Sequence, residues 1–166
     1  MNTKFKIRNE VKPGDLDRVK EIVNSTSFFH DYEIDVAVEL VQENLAKGNE
    51  SGYHFLFAEL EGKTVAYSCF GLIPCTESSF DLYWIVVHNN YRGLGIGKKL
   101  LALTEQAITK MGGTAVYAET SSQQKYAPTR SFYLQNSYIQ EAMLKDFYKK
   151  EDDKLIYSKV LVNTEL

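Results

Sequence analysis

Two spacings of apolar residues divide this chain. Near the start, Leu16, Val19, Ile22 and Val23 recur as the inner face of a helix does, and Ile34, Ala37, Val38, Val41 and Leu45 repeat the pattern. The first helix is predicted from Asp15, as N-cap after the Pro13-Gly14 break, to about residue 24, and the second stops at Gly48. A short, mildly alternating stretch at 7–11 precedes them as a strand. From residue 53 the period shortens. Residues 53–60 and 64–72 read as a hairpin around Glu61-Gly62-Lys63, Pro74 ends its second strand, and 79–87 makes a further one. A helical repeat returns over 95–111, carrying Leu100, Leu101, Ala107, Ile108 and Met111, until Gly112-Gly113 ends it. A strand at 114–120, a short helix at 127–136, a strand at 138–146, a turn at Asp152-Asp153-Lys154 and a strand at 155–161 complete the chain. The order β-α-α-β-β-β-α-β-α-β-β predicts a mixed α+β sheet with helices on its faces.

Composition narrows the class. A chain of 166 residues fits one domain, 1–166, and 44% hydrophobic with 25% charged residues is enough to bury a core. Nineteen Lys+Arg against twenty-two Asp+Glu give a formal charge of −3, which is not the footprint of a nucleic-acid or anionic-membrane binder. No apolar run approaches the ~20 residues of a membrane span. The basic residues of the first ten are not followed by the apolar stretch of a signal peptide. Cys69 and Cys75 are too few to staple a domain and read as packing residues. A soluble cytoplasmic protein is the expectation. His30, His54 and His88 lie at no metal-ligand spacing, so no metal is expected.

The most informative segment is Tyr91-Arg92-Gly93-Leu94-Gly95-Ile96-Gly97-Lys98-Lys99, between a strand and an amphipathic helix. Glycines at alternate positions let successive N–H groups face one point at the positive end of a helix dipole, an anion site suited to phosphate or pyrophosphate; the alternative is a plain turn whose glycines only punctuate the helix start. It is neither a P-loop, since Arg92 stands five before Gly97 and Lys99 follows Lys98, nor a dinucleotide fingerprint, which needs Gly-x-Gly-x-x-Gly. The pattern Arg92-Gly93-Leu94-Gly95-Ile96-Gly97 resembles the pyrophosphate loop of the Gcn5-related N-acetyltransferases, the GNAT superfamily. Residues 85–91 resemble that family's strand and approach to the loop. Ala127-Pro128-Thr129-Arg130-Ser131-Phe132-Tyr133, followed by Ser137-Tyr138, resembles its helix with a Tyr four residues before a Gly-Phe/Tyr pair. The element order from 7 to 161 is also similar. Ser137 stands where the family usually has Gly, and Tyr126 where many members carry a cofactor-contacting Asn, so Tyr126 would take over that cofactor contact or face the acceptor.

The resemblance implies a single GNAT-type α+β domain, with a mixed, mostly antiparallel sheet of about seven strands and four helices, and acetyl-CoA as co-substrate. It implies transfer of an acetyl group to a primary amine. The loop N–H groups of Gly93, Leu94, Gly95, Ile96, Gly97 and Lys98, helped by Arg92, would hold the pyrophosphate. Backbone groups of Ile85, Val86 and Val87 would pair with the pantetheine arm, and the Val87 N–H would polarise the thioester carbonyl. Without the resemblance, 84–87 reads simply as a buried strand. By its place in the motif Tyr133 would protonate the leaving thiolate, since a phenol of pKa ~10 is neutral at pH 7; the alternative is an aromatic anchor. An arriving ammonium must lose a proton, and Glu119, Asp81 or a water-linked carboxylate could take it; both side chains equally suit ordinary strand positions. In Phe28-Phe29-His30-Asp31-Tyr32-Glu33, the residues Phe29, Asp31 and Glu33 could recognise a cationic acceptor, or the cluster could be a packed helix connection. The acceptor is expected to be a small-molecule or peptide amine, with no nucleic acid or membrane partner and room for a homodimer. A non-catalytic acyl-CoA-binding module on the same scaffold is the rival reading.

Overall fold

The computed structural model describes residues 5–162. It contains β1 (Lys6–Arg8), α1 (Asp15–Ser25), α2 (Asp31–Lys47), β2 (His54–Leu60), β3 (Lys63–Leu72), β4 (Ser79–Val87), α3 (Ile96–Lys110), β5 (Ala115–Ser121), α4 (Ala127–Gln135), β6 (Ile139–Lys149) and β7 (Asp152–Val160). The strands form a seven-stranded α+β sheet in the order β1-β2-β3-β4-β5-β7-β6. Pairing is antiparallel for β1–β2, β2–β3, β5–β7 and β6–β7, and parallel for β4–β5. Among the described residues, no helix is long and apolar enough to cross a membrane. The residues group into two compact units, 5–71 with 84–104 and 72–83 with 105–162.

The first unit is built on β3. Its residues 64–71 are all buried, as expected of a near-continuous apolar run whose two faces are both covered. On one face Tyr67 and Cys69 join Phe55, Phe57 and Val86 beneath Val19, Ile22 and Val23 of α1 and Ile34, Ala37 and Val41 of α2. Phe55, Phe57 and Tyr67 lie with ring centroids 5.6–6.3 Å apart, each such pair worth about 0.5–1.5 kcal/mol beyond its buried area. On the other face the buried Ser68 hydroxyl bonds the Thr104 hydroxyl of α3 at 2.7 Å. Arg8 ties β1 to its neighbours: its guanidinium donates twice to Asp15 at 2.8 Å and once to Glu59 at 2.7 Å, and lies 4.4 Å from the centre of the Phe57 ring.

That network corrects two expectations. The first strand ends at Arg8 rather than at residue 11, because the chain must leave the sheet for Asp15 to meet the guanidinium. Asp15 is the first helical residue, not the cap: Gly14 holds the cap position, and the Asp15 carboxylate accepts the Lys12 N–H at 2.7 Å instead. Cys69 is packed in the core, but Cys75 is exposed with φ +65° in the β3–β4 connection and packs nothing.

In the second unit, Ser79–Asp81 of β4 run parallel to Ala115–Tyr117 of β5. Gly113, which closes α3, has no room for a side chain: a Cβ there would come within 2.3 Å of Ile108 and 2.8 Å of Phe80. The β6–β7 hairpin turns later in β6 and earlier in β7 than expected. Lys149 pairs with Asp152, and the turn is made by Glu151 at φ +64°, whose N–H donates to the Asp146 carboxylate at 2.7 Å. No glycine marks that turn, which lies just before the expected Asp152-Asp153-Lys154.

Candidate active site

The glycine turn and its approach belong to the first unit. Ile85, Val86 and Val87 close β4, with Val86 buried and its neighbours half-buried. Gly93 and Gly95 have φ +76° and +75°, with Leu94 exposed between them. A Cβ at either glycine would meet no atom within 4 Å, so the backbone conformation and not crowding at that atom is what selects glycine. Left-handed residues in such a loop can turn backbone N–H groups to one side, as an anion nest requires. Ile96, buried, begins α3, and the Lys99 N–H already donates to the Gly95 carbonyl. The loop therefore runs without a break into a helix whose first N–H groups have no helical acceptor. Gly97 and Lys98 lie in its first turn. Arg92 is exposed, its guanidinium 5.4 Å from the centre of the Phe28 ring.

The residues expected on the acceptor side are in the same unit. Phe29 packs edge-on against Trp84, with centroids 5.0 Å apart. The Glu33 carboxylate accepts the His30 N–H at 2.8 Å, which engages it in starting α2, while Asp31 is exposed. Half of the cluster thus does the packing and capping work that was its alternative reading.

The remaining candidates lie in the second unit. Tyr133 is buried on α4, its ring stacked on Tyr157 with centroids 5.7 Å apart and tilted against Tyr138 at 5.3 Å. Burial pushes its phenol well above the ordinary value, so it is fully protonated at neutral pH. The Tyr133 carbonyl accepts from the N–H groups of Asn136 and Tyr138, both at 3.0 Å, and Ser137 takes the left-handed position at φ +69°. The turn for which the resemblance implied a glycine is therefore kept by a serine. Tyr126 ends the 3-10 turn before α4, held where Arg130 donates to the carbonyls of Ser121 and Gln123.

Asp81 and Glu119 line one cavity of about 250 Å³, with Leu82, Tyr83 and Tyr148. Their environments differ. Glu119 stands opposite Ile156, so Lys154, two residues along the same face of β7, reaches its carboxylate at 2.5 Å. Lys154 also lies 4.4 Å from the centre of the Phe147 ring. The Asp81 carboxyl is raised above the ordinary range, first by burial and then by the Glu119 charge, with Lys154 opposing. Tyr83, Tyr148 and Lys154 were not anticipated. Tyr148 and Lys154 come from the far end of the chain, and only the strand register brings them to Asp81.

The sequence pattern of the acetyltransferase (GNAT) family matches residues 16–137. A GNAT-family protein of solved structure from Desulfovibrio desulfuricans is 43% identical over 96% of this chain and 100% of that one, with a TM-score of 0.94. The ribosomal-protein-S18-alanine N-acetyltransferase of Escherichia coli shares the fold at 16% identity and TM-score 0.75, covering 98% of this chain and 99% of that one. So does the PaiA N-acetyltransferase of Thermoplasma acidophilum, solved in complex with coenzyme A, at 19% identity and TM-score 0.73, covering 95% and 99%. Since the family pattern runs through the glycine turn and into the turn after the Tyr133 helix, and the whole fold follows it, this chain belongs to the acetyltransferase (GNAT) family.

Proposed function

We propose that the chain acts as one domain, an acetyl-CoA-dependent N-acetyltransferase that moves the acetyl group directly to a primary amine of a small molecule or peptide. The observation that carries the reading is the pair of left-handed glycines, Gly93 and Gly95, opening directly into α3. A nest of N–H groups at a helix start holds a pyrophosphate. The coenzyme A complex of the PaiA N-acetyltransferase supports that ligand.

The chemistry then divides among few groups. Backbone groups of Ile85–Val87 hold the pantetheine arm, and the Val87 N–H polarises the thioester carbonyl. Asp81 takes the proton from the arriving ammonium. Of the two carboxylates it is the better base: Glu119 is engaged by Lys154, whereas Asp81 is half-buried and raised toward neutrality. The free amine attacks the carbonyl carbon, the C–N bond forms, the C–S bond breaks, the thiolate takes the Tyr133 phenolic proton, and the surplus proton on the new amide nitrogen returns to the Tyr133 phenolate. Desolvation raises the phenol, and it raises a thiolate expelled beside it in the same sense. With one carboxylate neutralised by Lys154, the cavity retains the charge of Asp81 and suits a cationic amine flanked by Tyr83 and Tyr148.

Thiol release from acetyl-CoA, measured across a panel of polyamines, amino sugars, amino acids and peptide N-termini, tests the assignment. At least one amine should give turnover. Gly95→Val, which forces a β-branched side chain to φ +75°, should weaken acetyl-CoA binding more than tenfold, about 1.4 kcal/mol. Tight acetyl-CoA binding with no transfer to any amine would favour the non-catalytic module.

A further inference from the structure

The connection from β4 to the glycine turn is held by two side chains that the proposed reaction does not use, His88 and Ser25. His88 follows β4 and caps the 3-10 turn Asn89–Tyr91, its Nδ1 accepting the Asn90 N–H at 3.2 Å. The turn is fixed from other sides as well. The His88 N–H donates to the Val65 carbonyl at 2.8 Å, the Asn89 N–H to the Ser25 hydroxyl at 3.0 Å, and the Tyr91 N–H to the His88 carbonyl at 2.8 Å. Arg92 and Gly93 follow at once. A backbone N–H can only donate, so Nδ1 must carry a lone pair, and the ring proton sits on Nε2, 3.8 Å from the Glu21 carboxylate.

We infer that neutral His88 is the positioning residue of the acetyl-CoA loop, and that its protonation releases the turn leading into Gly93 and Gly95. An imidazolium has N–H on both nitrogens and would set one donor against the Asn90 N–H. The groups facing the ring are Arg18 and Glu21 of α1, Lys63 at the start of β3, and the edge-on Tyr91 ring at 5.6 Å. Burial, Arg18 and Lys63 hold the imidazole below its ordinary value, and only Glu21 opposes them. The neutral, capping form therefore prevails at neutral pH and is lost on acidification.

The inference rests on the reading that this loop binds acetyl-CoA, and binding across pH separates the two. Calorimetric titration with acetyl-CoA between pH 5 and pH 8 should show the wild-type Kd rising toward acid. His88→Asn can accept the same N–H through its side-chain oxygen but cannot titrate. It should match wild type at pH 8 and lack the extra acid weakening. Comparison of the two cancels the titration of the cofactor's own phosphate monoester, near pH ~6. His88→Ala should bind about fivefold more weakly than wild type at pH 8 and converge on it toward pH 5, where wild type has lost the same cap, and if it does not fold, the Asn variant decides alone. The imidazole ¹⁵N spectrum at pH 8 should show Nδ1 unprotonated. An acid limb in His88→Asn equal to that of wild type, or a protonated Nδ1, overturns the role of His88. A wild-type protein that binds no acetyl-CoA at any pH overturns both readings.

Discussion

At the scale of single residues, two side chains carry sharp expectations. Tyr133 is both packed and protonated: its ring stacks on Tyr157 and its phenol is raised by burial. Tyr133→Phe keeps the ring and deletes the proton. A general acid should then reveal itself as a kcat loss of ~10²–10⁴-fold with near-normal melting and acetyl-CoA binding. An anchor would give little loss, and turnover within a few fold of wild type would remove the acid role. If Asp81 is the base proposed above, it carries the pH dependence. Its carboxyl is raised in the folded protein, so the base is lost to protonation above the ordinary carboxylate range. The acid limb of kcat/KM should lie above pH ~4 and disappear in Asp81→Asn, together with most of the activity. An acid limb that survives in the variant, at unaltered position, would move the role to Glu119 or to water.

Between residues and the whole lie the elements, and here the turn after α4 is instructive. Ser137 sits at φ +69° because the carbonyl of Tyr133 needs the N–H of Tyr138, and only a left-handed residue bends the chain far enough. A non-glycine residue there costs about 1–2 kcal/mol, partly offset because glycine has more freedom to lose on folding. Ser137→Gly is thus expected to stabilise by about 0.5–1 kcal/mol, read as a higher denaturant midpoint at unchanged m-value. Destabilisation by the same amount would mean that the serine side chain makes a compensating contact. The hairpin of β6 and β7 solves another turn without glycine, at Glu151. β6 is the outer strand and exposes Ile139, Met143 and Phe147 by more than half. Register breaks at Gln140/Ala142 and Leu144/Lys149, with Asp146 left-handed between the latter pair, keep that edge from being a flat template for another strand.

For the whole molecule, cofactor binding and stability are one equilibrium. If acetyl-CoA binds the folded chain alone, a concentration of 100 times Kd adds about 2.7 kcal/mol. At about 2–4 °C per kcal/mol for a chain of this size, the melting temperature should rise by roughly 5–11 °C. Scanning calorimetry at graded acetyl-CoA checks this. A transition that does not move at concentrations saturating for turnover would contradict binding to the native state.

Local features were legible in the sequence alone. The two apolar periods located α1, α2, α3 and the strands, because burial of one face imposes a repeat on each element. Glycine at 93 and 95 marked a turn free of side-chain bulk, and the backbone there is left-handed, which few other residues adopt without strain. Position in a motif singled out Tyr133. What the sequence could not decide were pairings over long separations. That Glu119 is engaged by Lys154 while the Asp81 carboxyl is raised depends on the register of β5 against β7, which no local pattern encodes. Tyr148 reaches the cavity of Asp81 only through the β6–β7 hairpin. Asp15 left the cap position because Arg8 claimed its carboxylate, and His88, one of three scattered histidines in the chain, became a cap only when the turn folded around its ring. A side chain's chemical type is written in the sequence; its partner, and with it its charge state and its work, is fixed by tertiary packing.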